Sequence, residues 1–266
     1  CGECGGNGVT WLFNKGINGA TIYGMNTDAL HLSVTKADEK LLIGKELTRG
    51  LGAGGKPKVG REAAREALAD IKKAVGNADM VFVLAGMGGG TGTGAAPVIA
   101  QMAKETGAVV IGVVTMPFES EKARIDKAEF GLQELREVTD TTIVLDNNRL
   151  VDIAGQLPLE QAFAVANELV STMVKGIVET ITLPSLINLD YADVSTIMKN
   201  GGVAVIGIGE SDTQERVSEA VKQALTHPLL DVDYKGASGA LIHVTCGPYL
   251  KLEEFDVIGR AVSENL

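Results

Sequence analysis

The chain has 266 residues, of which 45% are hydrophobic, and its formal net charge is −10 at pH 7. This length allows one large domain or two small ones, and the negative charge argues against non-specific binding to nucleic acid or to an anionic membrane. Three cysteines cannot make a disulfide framework, and no stretch approaches the roughly 20 apolar residues of a membrane span, so a cytoplasmic location is expected.

The first half of the chain alternates predicted strands and helices. Apolar, β-branched runs predict the strands, and apolar residues at helical spacing predict the helices. In chain order these are strands at 20–25 and 40–43, a helix at 60–75, a strand at 79–86, a helix at 95–103, a strand at 108–115, a helix at 122–138 and a strand at 141–145. The first residues of the chain are predicted to form a loop. This alternation predicts a parallel sheet covered on both faces.

A long helical pattern over residues 158–182 opens the second half. A helix of ~24 residues is about 36 Å long, enough to connect two halves of a protein rigidly. The elements predicted after it are a helix at 194–200, a strand at 203–208, a helix at 214–225 and a strand at 240–245.

The predicted fold class is therefore α/β, with a parallel-sheet nucleotide-binding domain joined by a long central helix to a smaller α/β domain. The predicted boundaries are 1–158 for the first domain, 159–182 for the helix and 183–266 for the second domain. The chain begins at Cys1 and ends inside an apparent helix, so we expect a fragment that lacks both termini.

The most informative stretch is a glycine-rich run between a predicted buried strand and a predicted helix. Its members are Gly88, Gly89, Gly90, Thr91, Gly92, Thr93 and Gly94. A glycine-dense turn at this place exposes main-chain N–H groups at a helix N-terminus, which binds phosphate without a positive side chain. The two threonines add hydroxyl donors. A merely flexible loop is the alternative, but linkers rarely lie between a buried strand and a buried helix.

Two other nucleotide-binding motifs fit this run poorly. The chain contains no G-x-x-x-x-G-K-[ST] sequence, so the lysine of a P-loop is absent. A dinucleotide fingerprint can be aligned on Gly90, Gly92 and Ala95. That fingerprint requires an acidic residue at the end of the next strand, where this chain has the sequence TMP at residues 115–117. A dinucleotide-dependent oxidoreductase is therefore the weaker alternative.

A second cluster of chemistry-bearing residues lies at Asn188, Asp190 and Asp193. Paired carboxylates can orient or deprotonate an attacking water and hold a cation shell. Two aspartates three residues apart also suit helix capping or a solvated charge. Cys1 and Cys4 form a C-x-x-C pair without a second ligand pair, so no protein metal or redox site is predicted.

The glycine-rich run resembles the GGGTGTG loop of the tubulin superfamily, and the similarity to its prokaryotic branch, the FtsZ family, extends over essentially the whole chain. Further segments appear in the family's order and look most like archaeal members: residues 26–28 (NTD), 51–57 (LGAGGKP), 188–194 (NLDYADV), 201–202 (GG), 206–212 (IGIGESD) and 236–244 (GASGALIHV). Glu3 departs from the pattern, because the family has glycine there, and its carboxylate could crowd the phosphates.

The resemblance implies that the chain binds GTP and GDP, with Mg²⁺ bridging the phosphates. Outside the glycine-rich run, Gly2, Gly5 and Asn7 resemble a first nucleotide loop, Asn26 and Thr27 would lie near the nucleoside, and Ala53, Gly54 and Gly55 would meet the γ-phosphate. Glu121 and Arg124 would lie near the ribose and phosphates, and Asn147 would contact the sugar or base edge. Phe163 would stack on guanine, and Asn167 would hydrogen-bond the guanine edge.

The resemblance also implies a cytoskeletal function. In the family, residues matching Asn188, Asp190 and Asp193 reach the γ-phosphate of the next subunit in a head-to-tail filament. Self-assembly would then activate GTP hydrolysis, and the filament would form the cytokinetic ring at mid-cell. The implied partners are further copies of the chain and division proteins that tether the filament through a tail absent here, without nucleic acid or direct membrane insertion. A tubulin-like GTPase that controls cell shape is the alternative.

Overall fold

The computed structural model describes residues 1–184, 186, 189–199, 201–226 and 236–265, and the chain forms two units, Cys1–Ala204 and Val205–Leu266. The strands are β1 (Tyr23–Asn26), β2 (Glu39–Leu42), β3 (Met80–Gly86), β4 (Val109–Met116), β5 (Thr141–Asp146) and β6 (Gly202–Ala204). The helices are α1 (Gly2–Lys15), α2 (Ala29–Val34), α3 (Lys45–Thr48), α4 (Pro57–Glu66), α5 (Leu68–Val75), α6 (Thr91–Glu105), α7 (Lys122–Val138), α8 (Asn147–Ala154), α9 (Leu159–Thr182), α10 (Tyr191–Met198), α11 (Arg216–Leu225) and α12 (Leu252–Asn265). No helix in these described ranges is both long and apolar enough to cross a membrane.

The main sheet of the first unit has four parallel strands in the order β3-β4-β5-β6, and β1 and β2 form a separate parallel pair. Every residue of β4 from Val109 to Val114 is buried. Alternate residues of a strand point to opposite faces, so helices cover this sheet on both sides, as its continuous apolar sequence predicts. The predicted parallel sheet and long helix are confirmed.

The common direction of the strands gives the main sheet two distinct edges, one at each end of the strands. Gly86 of β3 is paired with Thr115 of β4, which is paired with Leu145 of β5. Because the strands are parallel, the three carboxyl ends meet at one edge of the sheet and the amino ends meet at the opposite edge. We call these the carboxyl edge and the amino edge.

The prediction of a loop at the first residues of the chain is wrong, because residues 2–15 form α1. Glycine disfavours helix, but here it allows α1 to approach its neighbours. A Cβ atom on Gly5 would collide with the main-chain oxygen of Leu84 in β3, and one on Gly6 would lie 2.9 Å from the His31 ring. The same helix packs along α9, where Lys175 Nζ donates to Lys15 O at 3.2 Å. Tertiary packing therefore overrides local propensity.

Three further predictions need correction. The helix predicted at 60–75 is two helices, α4 and α5, separated at Ala67, whose backbone leaves helical geometry at φ −96° and ψ 13°. The strand predicted at 203–208 is paired only over β6, beside the first residues of β5. Residues 240–245 are described and form no strand; an alternating sequence needs a partner strand, and no described strand pairs with it.

Glycines also set the distance between α4 and α6, the helix whose first turn contains the second half of the glycine-rich run. A Cβ atom on Gly94 would collide with Pro57 O, and one on Gly60 would collide with Gly90 O. Main chain lies directly against main chain here, so the helices can relieve such a collision only by moving apart. The packing of α4 therefore requires these glycines.

We predict that Gly94→Ala lowers the free energy of unfolding of the nucleotide-free protein by about 2 kcal/mol, the cost of overpacking a close interface. Gly89→Ala is the matched control, since among the described residues no atom lies within 4 Å of a Cβ there, and its free energy of unfolding should change by less than about 0.5 kcal/mol. Denaturant unfolding followed by circular dichroism measures both. Equal stabilities for the two variants would contradict this account of the helix interface.

Candidate functional site

The glycine-rich run lies at the carboxyl edge of the main sheet. It begins two residues after β3 ends at Gly86, and its second half forms the first turn of α6, which begins at Thr91. The helix predicted at 95–103 thus starts four residues earlier than expected. Open parallel sheets bind ligands outside the carboxyl ends of their strands, so the run occupies the expected place for a ligand.

Five consecutive main-chain N–H groups of this run, from Gly89 to Thr93, donate to no protein acceptor in the part of the chain that the structure describes. The flanking groups are paired: Gly88 N donates to Thr93 Oγ1 at 2.9 Å, and Gly94 N donates to Gly90 O at 3.1 Å. The loop is therefore folded back on itself while its central amides remain available. Unpaired amides at a helix N-terminus, reinforced by the helix dipole, form an anion site.

The glycines of the run serve two different purposes. Gly88 has φ +94°, and a Cβ on it would lie 2.9 Å from Arg124 Cβ; a Cβ on Gly92 would collide with Gly86 O. These positions require glycine for the fold. Gly89 differs, because none of the described residues places an atom within 4 Å of a Cβ there. The space beside this position is therefore open.

The N-terminus of α1 meets the N-terminus of α6. A Cβ on Gly2, where φ is +70°, would lie 3.0 Å from Gly92 N, so two helix dipoles direct their positive ends to one place. Gly5 packs against β3 instead, and Asn7 is exposed on α1. Glu3 is exposed in the first turn of α1, where a carboxylate interacts favourably with that dipole.

The segment formed by the end of β1 and the residue that follows it contacts the glycine-rich run through a pair of hydroxyl groups. Thr27 Oγ1 lies 2.6 Å from Thr91 Oγ1, and Thr27 is fully buried. Asn26 is also buried, and its amide is used within the protein: Oδ1 accepts from Asp28 N at 3.2 Å, and Nδ2 lies 3.4 Å from His31 Nδ1. Asn26 therefore shapes this segment with both ends of its side chain.

Residues 53–55 form a turn beside the run. The turn is closed by Lys56 N, which donates to Ala53 O at 3.1 Å. Gly54 and Gly55 have φ +58° and +68°, and no described atom lies within 4 Å of a Cβ on either. A Cβ on Gly90 would lie 2.8 Å from Ala53 Cβ. The structure therefore brings these three predicted residues against the glycine-rich run.

The ends of β4 and β5 supply the remaining polar groups of this edge. Glu121 accepts from Arg124 Nη1 at 2.8 Å and from Phe118 N at 3.2 Å. Arg124 lies beside Gly88, as the close approach of their atoms shows. Asn147 begins α8, which the sequence analysis did not predict; this helix is capped by Asp146, whose side chain accepts from Asn148 N at 2.8 Å.

Phe163 and Asn167 lie four residues apart on α9 and share one face of that helix. The Phe163 ring packs edge-to-face against Phe118, with centroids 6.0 Å apart, and remains 37% exposed. Asn167 faces α1, since a Cβ on Gly8 would lie 3.9 Å from its Oδ1. Phe118, which follows β4, is a contact that sequence reasoning missed; no local signal reveals which ring it meets.

The acidic pair lies at the amino edge, away from the run. Asp190 is the N-cap of α10 and forms a capping box with Asp193: Asp193 N donates to Asp190 Oδ1 at 2.9 Å and Asp190 N donates to Asp193 Oδ2 at 3.3 Å. Both residues are exposed. Tyr191 Oη donates to Asp79 O at 2.7 Å, directly before β3. Asn188 lies outside the described residues.

The length of β3 separates the two groups of predicted site residues. The strand has seven residues, which span about 20 Å in a parallel sheet. The structure therefore gathers the predicted nucleotide contacts at one edge and holds Asp190 and Asp193 at the other edge of the same chain.

The described residues contain no group of three or more His, Cys, Asp or Glu side chains that could hold a metal ion. The two thiols of the C-x-x-C pair have different partners: Cys1 Sγ lies 3.9 Å from Thr91 O, and Cys4 Sγ lies 3.1 Å from Thr115 Oγ1. Burial raises the pKa of the Cys4 thiol, which keeps it protonated and unreactive. These cysteines pack α1 against the site.

Comparison with known families gives two matches. Residues 1–155 match the Tubulin/FtsZ family, GTPase domain. Residues 202–266 match the FtsZ family, C-terminal domain. The two matched segments together cover most of the chain.

Similar proteins and structures come from archaea. The chain is 55% identical over 266 residues to cell division protein FtsZ 2 of Halobacterium salinarum, covering all of this chain and 68% of that protein. It is 53% identical to a solved FtsZ dimer of Methanocaldococcus jannaschii, in an empty form, with a TM-score of 0.95 and coverage of 100% of this chain and 78% of that one. CetZ from Methanosaeta thermophila has a TM-score of 0.79 at 21% identity, with coverage of 99% and 78%, which shows a shared fold only.

We predict that Gly89→Val lowers the affinity for GTP about 10- to 100-fold, because its side chain fills the space beside the unpaired amides. Equilibrium binding of a fluorescent GTP analogue measures the effect, and the unfolding midpoint of the nucleotide-free protein should stay unchanged. Gly259→Val on α12, also without a described atom within 4 Å of its Cβ, is the control and should bind GTP normally. Unaltered GTP binding by Gly89→Val would show that this loop does not bind the phosphates.

Proposed function

The chain belongs to the Tubulin/FtsZ family, in its FtsZ cell-division branch, and from this membership we propose that it polymerises head to tail and hydrolyses GTP at a site completed by the next copy. GTPase activity and binding of GTP and GDP are properties of the family. The assembly-activated mechanism, the residues that carry it and the cytokinetic ring at mid-cell are our proposals.

The observation that carries the proposal is the row of unpaired amides from Gly89 to Thr93. These groups would bind the phosphates of GTP, and the turn at 53–55 would meet the γ-phosphate. In a chain of net charge −10, main-chain dipoles bind a polyphosphate without needing a lysine in the loop. Mg²⁺ would be held mainly by the phosphates and water, since this ion commonly takes only one or two protein carboxylates.

The rest of the nucleotide would extend from the run along the carboxyl edge. Glu121 and Arg124 would lie near the ribose and phosphates, and Asn147 near the sugar or base edge. Phe163 would stack on guanine, and Asn167 would hydrogen-bond the guanine edge. The contact between Phe163 and Phe118 supports this arrangement, because it holds a half-exposed ring at the edge where the phosphates would bind.

The separation of the two edges supports a shared site. Asp190 and Asp193 lie about 20 Å from the glycine-rich run of their own chain, by the length of β3. If the amino edge of one copy faces the carboxyl edge of the next, these carboxylates and Asn188 come to the γ-phosphate of a neighbour. An interface between two different surfaces continues into an open filament when the rotation between copies does not close a ring, and the proposed head-to-tail arrangement is of this open kind.

The capping box leaves each aspartate able to act on water. It uses Oδ1 of Asp190 and Oδ2 of Asp193, so one oxygen of each carboxylate has no protein donor within the described ranges. An ionised carboxylate only accepts hydrogen bonds, so these oxygens would orient the attacking water and receive its proton. The cap fixes the direction of both side chains.

A division function is favoured over a role in cell shape. The chain is 53–55% identical to archaeal FtsZ proteins and 21% identical to CetZ. In our proposal residues 1–158 bind GTP, 159–182 form the connecting helix and residues from 183 carry the catalytic segment. Division proteins would tether the filament to the membrane.

We predict that Asp190→Asn reduces the GTPase rate by about 100-fold or more, by the loss of a proton acceptor, and leaves GTP affinity unchanged. Asparagine caps a helix about as well as aspartate, so α10 and the stability of the protein are preserved. An equimolar mixture with Gly89→Val should recover hydrolysis, because Asp190→Asn supplies bound GTP and Gly89→Val supplies intact carboxylates. Phosphate release measures all three samples.

Asp152→Asn is the control, since it removes an exposed carboxylate from α8 and should hydrolyse GTP at the normal rate. A mixture whose activity equals the sum of its parts, or full turnover by Asp190→Asn alone, would rule out the shared site.

We also predict that the GTPase rate per chain depends on protein concentration. A site completed by a neighbour should hydrolyse almost no GTP below a critical concentration and reach a constant rate per assembled chain above it. A dilution series with light scattering in the same samples measures both quantities. A total GTPase rate strictly proportional to protein concentration down to the lowest dilution, and thus a constant rate per chain, would indicate a self-contained enzyme.

A further inference from the structure

A lysine on α7 contacts the turn at 53–55. Lys127 Nζ donates to Gly55 O at 3.0 Å. The sequence analysis did not single out this residue, and the contact joins parts of the chain 72 residues apart. The ammonium group thus lies within one hydrogen bond of the turn that we propose meets the γ-phosphate.

The contact fixes one peptide group of the turn from both sides. The carbonyl of Gly55 accepts from Lys127, and the amide on the other side of the same peptide, Lys56 N, donates to Ala53 O at 3.1 Å. Because Lys56 N closes the turn on Ala53 O, holding this peptide also restrains the two peptides before it, which carry the N–H groups of Gly54 and Gly55. Neither donates to a protein acceptor over the residues described here.

The same face of α7 also contacts the glycine-rich run. Arg124 lies three residues before Lys127, one turn away on the helix surface, and it borders Gly88. Gly90, at the other end of the loop, borders Ala53 and Gly55. One helix face therefore sets the position of the turn relative to the amides that would bind the phosphates.

We propose that Lys127 is a positioning residue that holds the 53–55 turn ready for the terminal phosphate and so sets the preference for GTP over GDP. The inference rests on the proposed function of that turn. Lys127 acts through the Gly55 carbonyl, and its charge polarises the peptide that closes the turn. Gly54 and Gly55 have positive φ and no described atom within 4 Å of a Cβ, so side-chain packing does not restrain these two glycines and the turn depends on its hydrogen bonds.

The test compares Lys127→Met, which keeps the apolar stem and removes the donor, with Lys127→Arg, which keeps a donor and the charge. We expect Lys127→Met to lower the affinity for a non-hydrolysable GTP analogue about five- to tenfold, as for an exposed charge-assisted hydrogen bond. Its affinity for GDP should change less than about twofold. Lys127→Arg should recover at least half of the lost selectivity.

Lys122→Met is the control, because it removes a positive charge from the start of the same helix, where the Lys122 side chain is exposed and makes no hydrogen bond within the part of the chain described. It should leave the ratio of the two affinities unchanged. Equal losses for GTP and GDP in Lys127→Met, or an equal effect of Lys122→Met, would overturn the proposal, because the lysine would then act only by its general charge.

Hydrogen–deuterium exchange of nucleotide-free protein separates this inference from the proposed function. Amides at 53–56 should exchange faster in Lys127→Met than in the unsubstituted chain, and nucleotide is not needed to see it. Unchanged exchange would refute the restraint on the turn, even if GTP binds. Faster exchange without selective GTP binding in the unsubstituted chain would preserve the restraint and refute γ-phosphate recognition by the turn.

Discussion

The availability of main-chain amides at the start of α6 is the feature on which the site depends. Amides can bind an anion only if the backbone comes within hydrogen-bonding distance of it, and side chains with a Cβ would prevent the surrounding elements from packing so closely. Gly92 allows α6 to begin directly beside β3, and Gly94 and Gly60 allow α4 to support it. The packing of the core and the chemistry of the site are therefore one constraint, because the glycines that bring the elements together also leave the amides unpaired.

The parallel sheet gives this constraint a direction. Parallel strands place all their carboxyl ends at one edge, so the predicted nucleotide contacts after β3, β4 and β5 collect there, while α10 is bound by Tyr191 to the opposite edge. In the proposed filament the distance between the edges is the reason why one copy binds GTP and another hydrolyses it. Polarity of the polymer and dependence of hydrolysis on assembly then follow from the same topology.

The parts of this arrangement that could be predicted from sequence are those with a local signal. A continuous apolar run predicted β4, helical spacing predicted α7 with its bounds 122–138, and glycine density between the predicted strand at 79–86 and the predicted helix at 95–103 indicated a phosphate-binding loop. Helix α1 was missed because its glycines lower helix propensity, and the approach of Gly5 to Leu84 that favours them depends on distant residues. The contacts of Phe118 and Lys127 are likewise invisible locally, since each depends on which helix face meets which loop.

At the proposed junction, the carboxylates of the amino edge would lie close to the negatively charged phosphates of the neighbouring copy. Asp190 and Asp193 are exposed, and each chain carries a net charge of −10, so bringing these carboxylates to a neighbour's phosphates is repulsive over a Debye length of about 8 Å. The cap on α10 prevents the side chains from turning away, because each uses one oxygen to bond the helix. In the proposed filament the Mg²⁺ on the phosphates would offset this repulsion, and the helix termini beside Gly2 and Gly92 would offset part of the phosphate charge from the other side. Loss of the γ-phosphate removes the group on which these attractions converge but leaves the carboxylates in place. GTP hydrolysis requires this junction between copies in our proposal, and it would thereby weaken the junction.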